Sequence, residues 1–351
     1  MTKFLVVLMG LFLFPSLGIG QLYQQNWRDY VPTPSSLEWM PVKTVRINIH
    51  FVSKSDGSGN FDEETGRKFA RDLVAAANGL LANNQPMNLP KGNQTPVVPI
   101  QIRYELSGDS AAPDGIYFIR SDSDYRFNRS DISTIFDPSI FEKYGKQKGK
   151  VLNVFLFENT DGSGKTGGIG AGDWAKVGGL FFHFKNYQRW AWFGAGLFNH
   201  EIGHSLGLFH TWNENDGCDD TPMNENCWNV AEEGPCKIPS NNVMDYNANE
   251  NAWTPCQVGK VHLALSNPGI PRDFLVPDYL QIYDSLDVFI SPGDTLLVSG
   301  NRFLRGDLIL GRRSVLIVRN CKIVLPPSGR LIQRRKSSIL YEQRGKIEMT
   351  R

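Results

Sequence analysis

Residues 200–210 read His-Glu-Ile-Gly-His-Ser-Leu-Gly-Leu-Phe-His, and three of the chain's six histidines fall in this run. On a helix, His200 and His204 lie one turn apart on the same face. Two imidazoles so placed can reach one zinc ion at about 2.0–2.1 Å. Glu201 sits one residue round the helix, close enough to act on a water at the metal without being a ligand. Gly207 can take a backbone conformation that residues with a Cβ resist. The helix can then stop, and the chain can return His210 as a third ligand. Three protein ligands leave one coordination position open, the arrangement of a catalytic rather than a structural zinc. The chemistry this predicts is metal-assisted hydrolysis with Glu201 as general base. Because a purely structural zinc site has no use for a base, Glu201 argues against the alternative, a catalytically silent zinc-binding adhesion or structural module displaying a β-rich C-terminal region.

The elements that must position this run alternate. Val45 to Val52 has the alternation of a strand. Apolar spacing from Phe61 through Ala70, Leu73, Val74, Ala77 and Leu80 predicts a helix that Asn83 and Asn84 end. Val97–Tyr104, Ile116–Ile119 and Val151–Phe157 read as further strands. Asp161–Asp173 reads as a glycine-rich turn region, and Gly178–Phe184 as a strand ahead of the helix that carries His200. Asp56 to Asp62 has oxygen-bearing residues at alternate positions but lacks the glycine of an EF-hand, so it reads as a turn. The alternation predicts an α/β (α+β) domain with a mixed twisted sheet over residues 42–266. Pro268, Pro271 and Pro277 mark a linker over 267–278. Beyond it, residues 279–351 are all strand and turn, with short strands at near-regular spacing. That pattern fits a β-helix or a small sandwich. It runs to Arg351 without a capping element, as in a shortened form of something longer.

With 351 residues and 41% hydrophobic composition, the chain can bury two cores. Its net charge of +1 names no partner, and no nucleic acid is expected. From Asn301 to Arg351 there are 13 Lys/Arg against 3 Asp/Glu, leaving 24 against 33 elsewhere. Few aromatics interleave with these charges, so a solvated strand face accounts for them better than an acidic partner. At the N-terminus, Lys3 precedes an apolar run from Phe4 to Phe14, then Pro15, Gly18 and Gly20. Residues 1–20 therefore read as a secretory signal peptide, whose apolar run is too short to span a bilayer. No later segment could span one, so the mature chain is expected to be secreted or at the cell surface. Residues 21–41, with Pro32, Pro34 and Pro41, form an extended segment that could act as a propeptide. Cys218, Cys227, Cys236 and Cys256 cluster after the histidines, and in an oxidising compartment they suggest two disulfides. Their spacing leaves all three pairings open, and Cys321 is left over. The sequence assigns no oligomeric state.

The pattern His200-Glu201-x-x-His204-x-x-Gly207-x-x-His210 resembles the metzincin zinc-binding consensus. Asn242-Val243-Met244-Asp245-Tyr246 lies where metzincins carry a Met-containing turn beneath the metal. Thr211 after the third histidine, the run Cys218-Asp219-Asp220-Thr221-Pro222 and the order of the cysteines resemble the pappalysin-like group within the metzincins, including its bacterial secreted members. The resemblance covers roughly residues 42–265, is carried mainly by 199–256, and does not extend to the C-terminal region. It implies a zinc endopeptidase acting on proteins or peptides, with His200, His204 and His210 as ligands and Met244 as the floor of the site. It implies the pairs Cys218–Cys236 and Cys227–Cys256, and calcium near Asp219 and Asp220. It also implies that the substrate pairs with an edge strand ahead of the active helix, for which Gly178–Phe184 is the candidate. Tyr246 is the candidate oxyanion donor, because its phenol can swing near the metal. The N-terminal segment has no cysteine to cap zinc in a latent form. Asp29 is the carboxylate that could do so, although a plain surface aspartate is the better explanation of it. Glu250 could line the pocket for the residue after the scissile bond and favour a basic side chain there.

Overall fold

A computed structural model describes residues 26–34, 37, 40, 42–89, 93–128, 130–161, 165–211, 216–221, 240–246, 249–267, 269–276 and 287–349. The expected signal peptide, Cys227 and Cys236 lie outside these residues.

The first domain is one six-stranded sheet with helices on both faces. Its elements are β1 (Lys43–Ser53), α1 (Glu63–Ala82), β2 (Ile102–Leu106), β3 (Ile116–Arg120), α2 (Ile132–Phe136), α3 (Ser139–Tyr144), β4 (Leu152–Phe157), β5 (Gly167–Ala171), β6 (Trp174–Gly178), α4 (Leu180–Tyr187), α5 (Ala195–Ser205), α6 (Pro255–Ser266) and α7 (Ile270–Asp273). The order is β2-β1-β4-β6-β5, with β3 paired to the second half of β1. Every pairing is parallel except β5 against β6. All six residues of β4 are buried, as a central strand covered on both faces must be.

Helix α1 begins at Asp62, whose carboxylate accepts from Thr65 N at 2.9 Å, and ends at Asn83. It turns Phe69, Ala70, Leu73, Val74 and Ala77 onto the sheet, into the same core as Phe198 and Ile202 of α5. Helix α6 opens with Pro255 behind a Thr254/Gln257 capping box.

Two readings change here. Gly178–Phe184 is not a strand. Gly179 turns the chain at φ +87°, and Leu180–Tyr187 coils as α4. The sheet edge is instead β5, inside the region read as a turn. Residues 269–276 of the expected linker also pack on the sheet. Phe274 is fully buried, its carbonyl accepts from Arg46 N, and Val276 N donates to Thr44 O.

Beyond residue 286 lie β7 (Val288–Ile290), β8 (Thr295–Val298), β9 (Arg302–Phe303), β10 (Leu308–Leu310), β11 (Val315–Arg319), β12 (Lys322–Leu325), β13 (Leu331–Gln333), β14 (Ser338–Glu342) and β15 (Lys346–Met349). Each strand pairs in parallel with the strand three places on, giving the sheets β7-β10-β13, β8-β11-β14 and β9-β12-β15. Leu308 pairs with both Val288 and Leu331, and Leu316 with both Leu296 and Ile339. The region is therefore a β-helix with three strands per turn. A sandwich, with its antiparallel sheets, is excluded. Leu308, Leu310, Leu316, Val318, Ile323 and Leu325 fill its core.

The segment Trp27–Tyr30 forms a 3₁₀ turn against α6, where a Cβ on Gly259 would lie 2.5 Å from the Trp27 carbonyl oxygen. Tyr30 is fully buried, and its hydroxyl accepts from Arg319 of the β-helix, which also pairs with Glu342. The part of the expected propeptide described here thus braces the two domains. Among the described residues, no helix is long and apolar enough to cross a membrane.

Candidate metal centre and cleft

Helix α5 carries His200 and His204 one turn apart and ends at Ser205. Gly207 lies at φ +95°, in the left-handed region, and Leu208 N reaches back to Gly203 O. The reversal brings His210 beside the other two. The three Nε2 atoms form a triangle of 3.2 Å (His200–His210), 3.1 Å (His200–His204) and 3.1 Å (His204–His210).

The donor set tests whether a cation belongs there. His200 Nδ1 lies 2.7 Å from Val243 O, and His204 Nδ1 lies 2.9 Å from Leu208 O. A carbonyl only accepts, so each Nδ1 carries the hydrogen and each Nε2 presents a lone pair. Burial holds all three imidazoles neutral. It takes His210 down to about 3, with His204 adding to the effect, and lowers His200 and His204 as well. Lone pairs converging at about 3 Å repel unless a cation lies between them. Three nitrogens at about 2.0–2.1 Å from a tetrahedral zinc stand about 3.3–3.4 Å apart. The observed triangle fits that within a few tenths of an ångström.

The turn Asn242–Tyr246 lies beneath. Asn242 Oδ1 accepts from Met244 N at 2.8 Å, and its amide pairs with Gln257 of α6. Met244 is fully buried. A Cβ on Gly203 would lie 2.7 Å from the Met244 sulfur, so the glycine inside the histidine motif lets the turn come this close. Through Val243 O, the same turn orients the first histidine, as an outer-shell acceptor should. The Tyr246 ring stands 4.7 Å from the His210 ring and 5.9 Å from that of His200.

Glu201 is buried, and its Oε2 has no hydrogen-bond partner among the described residues. Burial raises its carboxyl pKa well above the usual range. Strand β5 lies against α5 through two glycines that the sequence reading missed. A Cβ on Gly168 would come 2.7 Å from Glu201 Oε1, and one on Gly170 would come 1.8 Å from Glu201 O. Alternate residues share a face, so the pair makes that face of β5 flat enough to rest on the helix. The glycine spacing was the available signal. A cleft of about 740 Å³ runs along Gly167–Gly170, the three histidines, Glu201, Tyr246 and Glu250. Glu250 is buried, with Oε1 3.6 Å from His200 Nδ1 and Oε2 against Gly196.

Other expected site residues lie elsewhere. Cys218 pairs with Cys256, not with Cys236, and Cys227 therefore cannot take Cys256. The reason is local. Asp220 accepts from Cys256 N at 2.9 Å, which docks the 216–221 loop on the start of α6 and places Cys218 against Cys256. Asp219 is exposed and pairs with Arg28 at 2.9 Å. With Asp219 on an arginine and Asp220 on a helix end, the two carboxylates give calcium no support. Asp29 is exposed on the turn packed against α6 and does not line the cleft. Cys321 is buried and free. Of the remaining histidines, His50 lies in the sheet beside Asn48 and Asn153, and His262 bonds Ile100 O.

Residues 137–266 match the family model of M43 peptidases described as pregnancy-associated plasma protein-A. Among solved structures, the chain is similar to mirolysin in complex with compound 9, at 18% identity and a TM-score of 0.46, over 66% of this chain and 96% of that one. It is similar also to mature mirolysin of Tannerella forsythia in complex with a cleaved peptide, at 17% identity and a TM-score of 0.45, over 66% and 95%. No curated protein sequence matches the chain.

Proposed function

We propose that the chain is a pappalysin-like metzincin, a zinc metalloendopeptidase, that is exported and cuts polypeptides with Glu201 moving the proton. The observation that carries this reading is the convergence of three imidazole Nε2 atoms in one cleft with a buried carboxylate whose Oε2 has no hydrogen-bond partner among the described residues. His200, His204 and His210 hold the ion, which when bound supplies the Lewis acidity that makes water a nucleophile near neutral pH. Glu201 Oε2 accepts the proton of the attacking water and returns it to the departing amine. The Tyr246 hydroxyl donates to the carbonyl oxygen as negative charge grows there. Among the described residues that line the cleft, Tyr246 is the one that offers a phenol beside two of the histidines.

The substrate lies extended along β5. Among the described residues this strand pairs with β6 alone, and Gly167–Gly170 line the cleft. Main-chain pairing to such an edge holds a peptide regardless of its side chains. Glu250 lines the cleft on the far side of His200 and favours a basic side chain in the residue after the cut. A peptide library in which Lys and Arg are absent after the cut would reject that preference.

The test of the proton role is Glu201→Ala. Turnover should vanish while zinc, measured by elemental analysis, stays at one ion per chain. Retained turnover would show that another group is the base.

A further inference from the structure

The cleft does not end at Glu250. Trp192 and Phe193, just before α5, line it, and the same two residues form one wall of a second hollow of about 560 Å³. His183, Tyr187, Gln188 and Arg189 complete that hollow. The His183 ring sits 4.6 Å from Phe193 and 5.5 Å from Tyr187, and the Arg189 guanidinium lies 5.5 Å from the Phe193 ring centre.

Two features mark this surface as built for contact. Tyr187, Trp190 and Trp192 are 60%, 57% and 62% exposed, so three large aromatics within six residues face water. Exposed apolar groups clustered in this way mark interaction sites. The charge is also one-sided. Between Asp173 and Glu201 the chain carries no Asp or Glu, while Lys185 and Arg189 are exposed. Arg189 makes no ion pair among the described residues.

We propose that this hollow is an additional substrate subsite, taking an aromatic side chain flanked by a carboxylate. The occupant is a stretch of the polypeptide being cut, because the hollow shares a wall with the cleft. Aromatic rings supply stacking, and the guanidinium supplies the partner for the carboxylate. The reach follows from the helix. Phe193 precedes His200 by seven residues, roughly 10 Å at about 1.5 Å per residue. That is the span of about three extended residues, so the pair lies about three residues from the bond that is cut, on the side of the start of α5.

The proposal rests on the peptidase reading, and two peptides separate them. A short quenched-fluorescence peptide carries only the residues round the cut. A long one adds a Phe-Glu pair three residues from the cut, on each side in turn. The wild type should prefer the long peptide for one of the two placements. In Tyr187→Ala and in Arg189→Glu, the long-to-short ratio of kcat/KM should fall about tenfold, through KM, a loss of about 1.4 kcal/mol of binding. Both residues are exposed, so neither change threatens the fold, and an unchanged melting temperature checks this. A ratio unaltered by both variants, or no wild-type preference for either placement, overturns the subsite and leaves the peptidase standing. Cleavage of neither peptide by the wild type overturns both.

Discussion

Gly170→Ala adds one methyl group and should disable the cleft without touching a ligand. The new Cβ would sit 1.8 Å from the Glu201 carbonyl oxygen, 2.8 Å from its carbon and 3.0 Å from His204 Cβ. Carbon and carbonyl oxygen settle at about 3.3–3.6 Å, so β5 and α5 must part by about 1.5 Å. Helix backbone cannot swing aside as a side-chain tip can, so the strand moves. Overpacking of this kind costs about 1–3 kcal/mol. The functional loss should be larger, because a substrate held on β5 moves with it, and misplacement by about 1 Å costs on the order of 100-fold. The assay is kcat/KM on a quenched-fluorescence peptide, with zinc content and melting temperature on the same samples. The expected result is a fall of about 100-fold with zinc still bound. Gly172→Ala is the comparison, since its Cβ would meet nothing within 4 Å, although its φ of +58° makes the change mildly strained. A Gly170→Ala protein with wild-type activity and melting temperature would refute the close seat of β5 on α5.

Other perturbations reach different parts of the account. His204→Ala should lose both zinc and activity, and a wild-type zinc content would refute ligation. Replacing Cys218 and Cys256 together by serine opens a covalent link across 38 residues. It should cost on the order of 4 kcal/mol of stability by the loop-entropy relation, read as a lower denaturation midpoint; an unchanged midpoint would contradict the Cys218–Cys256 pairing. Burial raises the Glu158 carboxyl from 4.5 to about 7, against the opposing charge of Lys185. A carboxyl whose folded pKa is raised stabilises the fold below its unfolded pKa, and that contribution is lost as pH rises through about 4.5 to 7. Glu158→Gln should therefore raise stability at pH 8 by on the order of 1 kcal/mol, discounted for partial exposure. It should change little at pH 4, and a gain equal at both pH values would exclude the carboxyl as its cause.

The features that could be read ahead of the structure were those fixed by local spacing. The i, i+4 histidines, the stop at Gly207 and the return of His210 follow from helix geometry. Met244 came from its place in a known pattern. Strand β5 was hidden because glycine is depleted in strands and Gly167, Gly168 and Gly170 read as a turn. Their reason is the helix packed on them, a tertiary fact. Residues 180–184 read as a strand because a short apolar run has no period of its own, and Gly179 alone decides otherwise. The β-helix showed its strands but not its repeat. Successive turns advance by 20 residues from Val288 to Leu308 and by 23 from Leu308 to Leu331, which blurs any fixed period. Strands β9 and β15 carry little strand signal of their own, β9 having only two residues and β15 charged residues at alternate positions. The pairing of Cys218 depends on Asp220 capping α6, a contact 36 residues apart in sequence that no spacing rule encodes.

The most direct measurement is peptide cleavage by the purified chain after its metal is stripped and then returned in measured amounts. Activity should disappear on stripping, return with zinc and saturate at one ion per chain, and Glu201→Ala should bind that ion without regaining activity. Cleavage that persists in the stripped protein, or none with the ion bound to the wild type, would contradict a zinc peptidase centred on His200, His204 and His210.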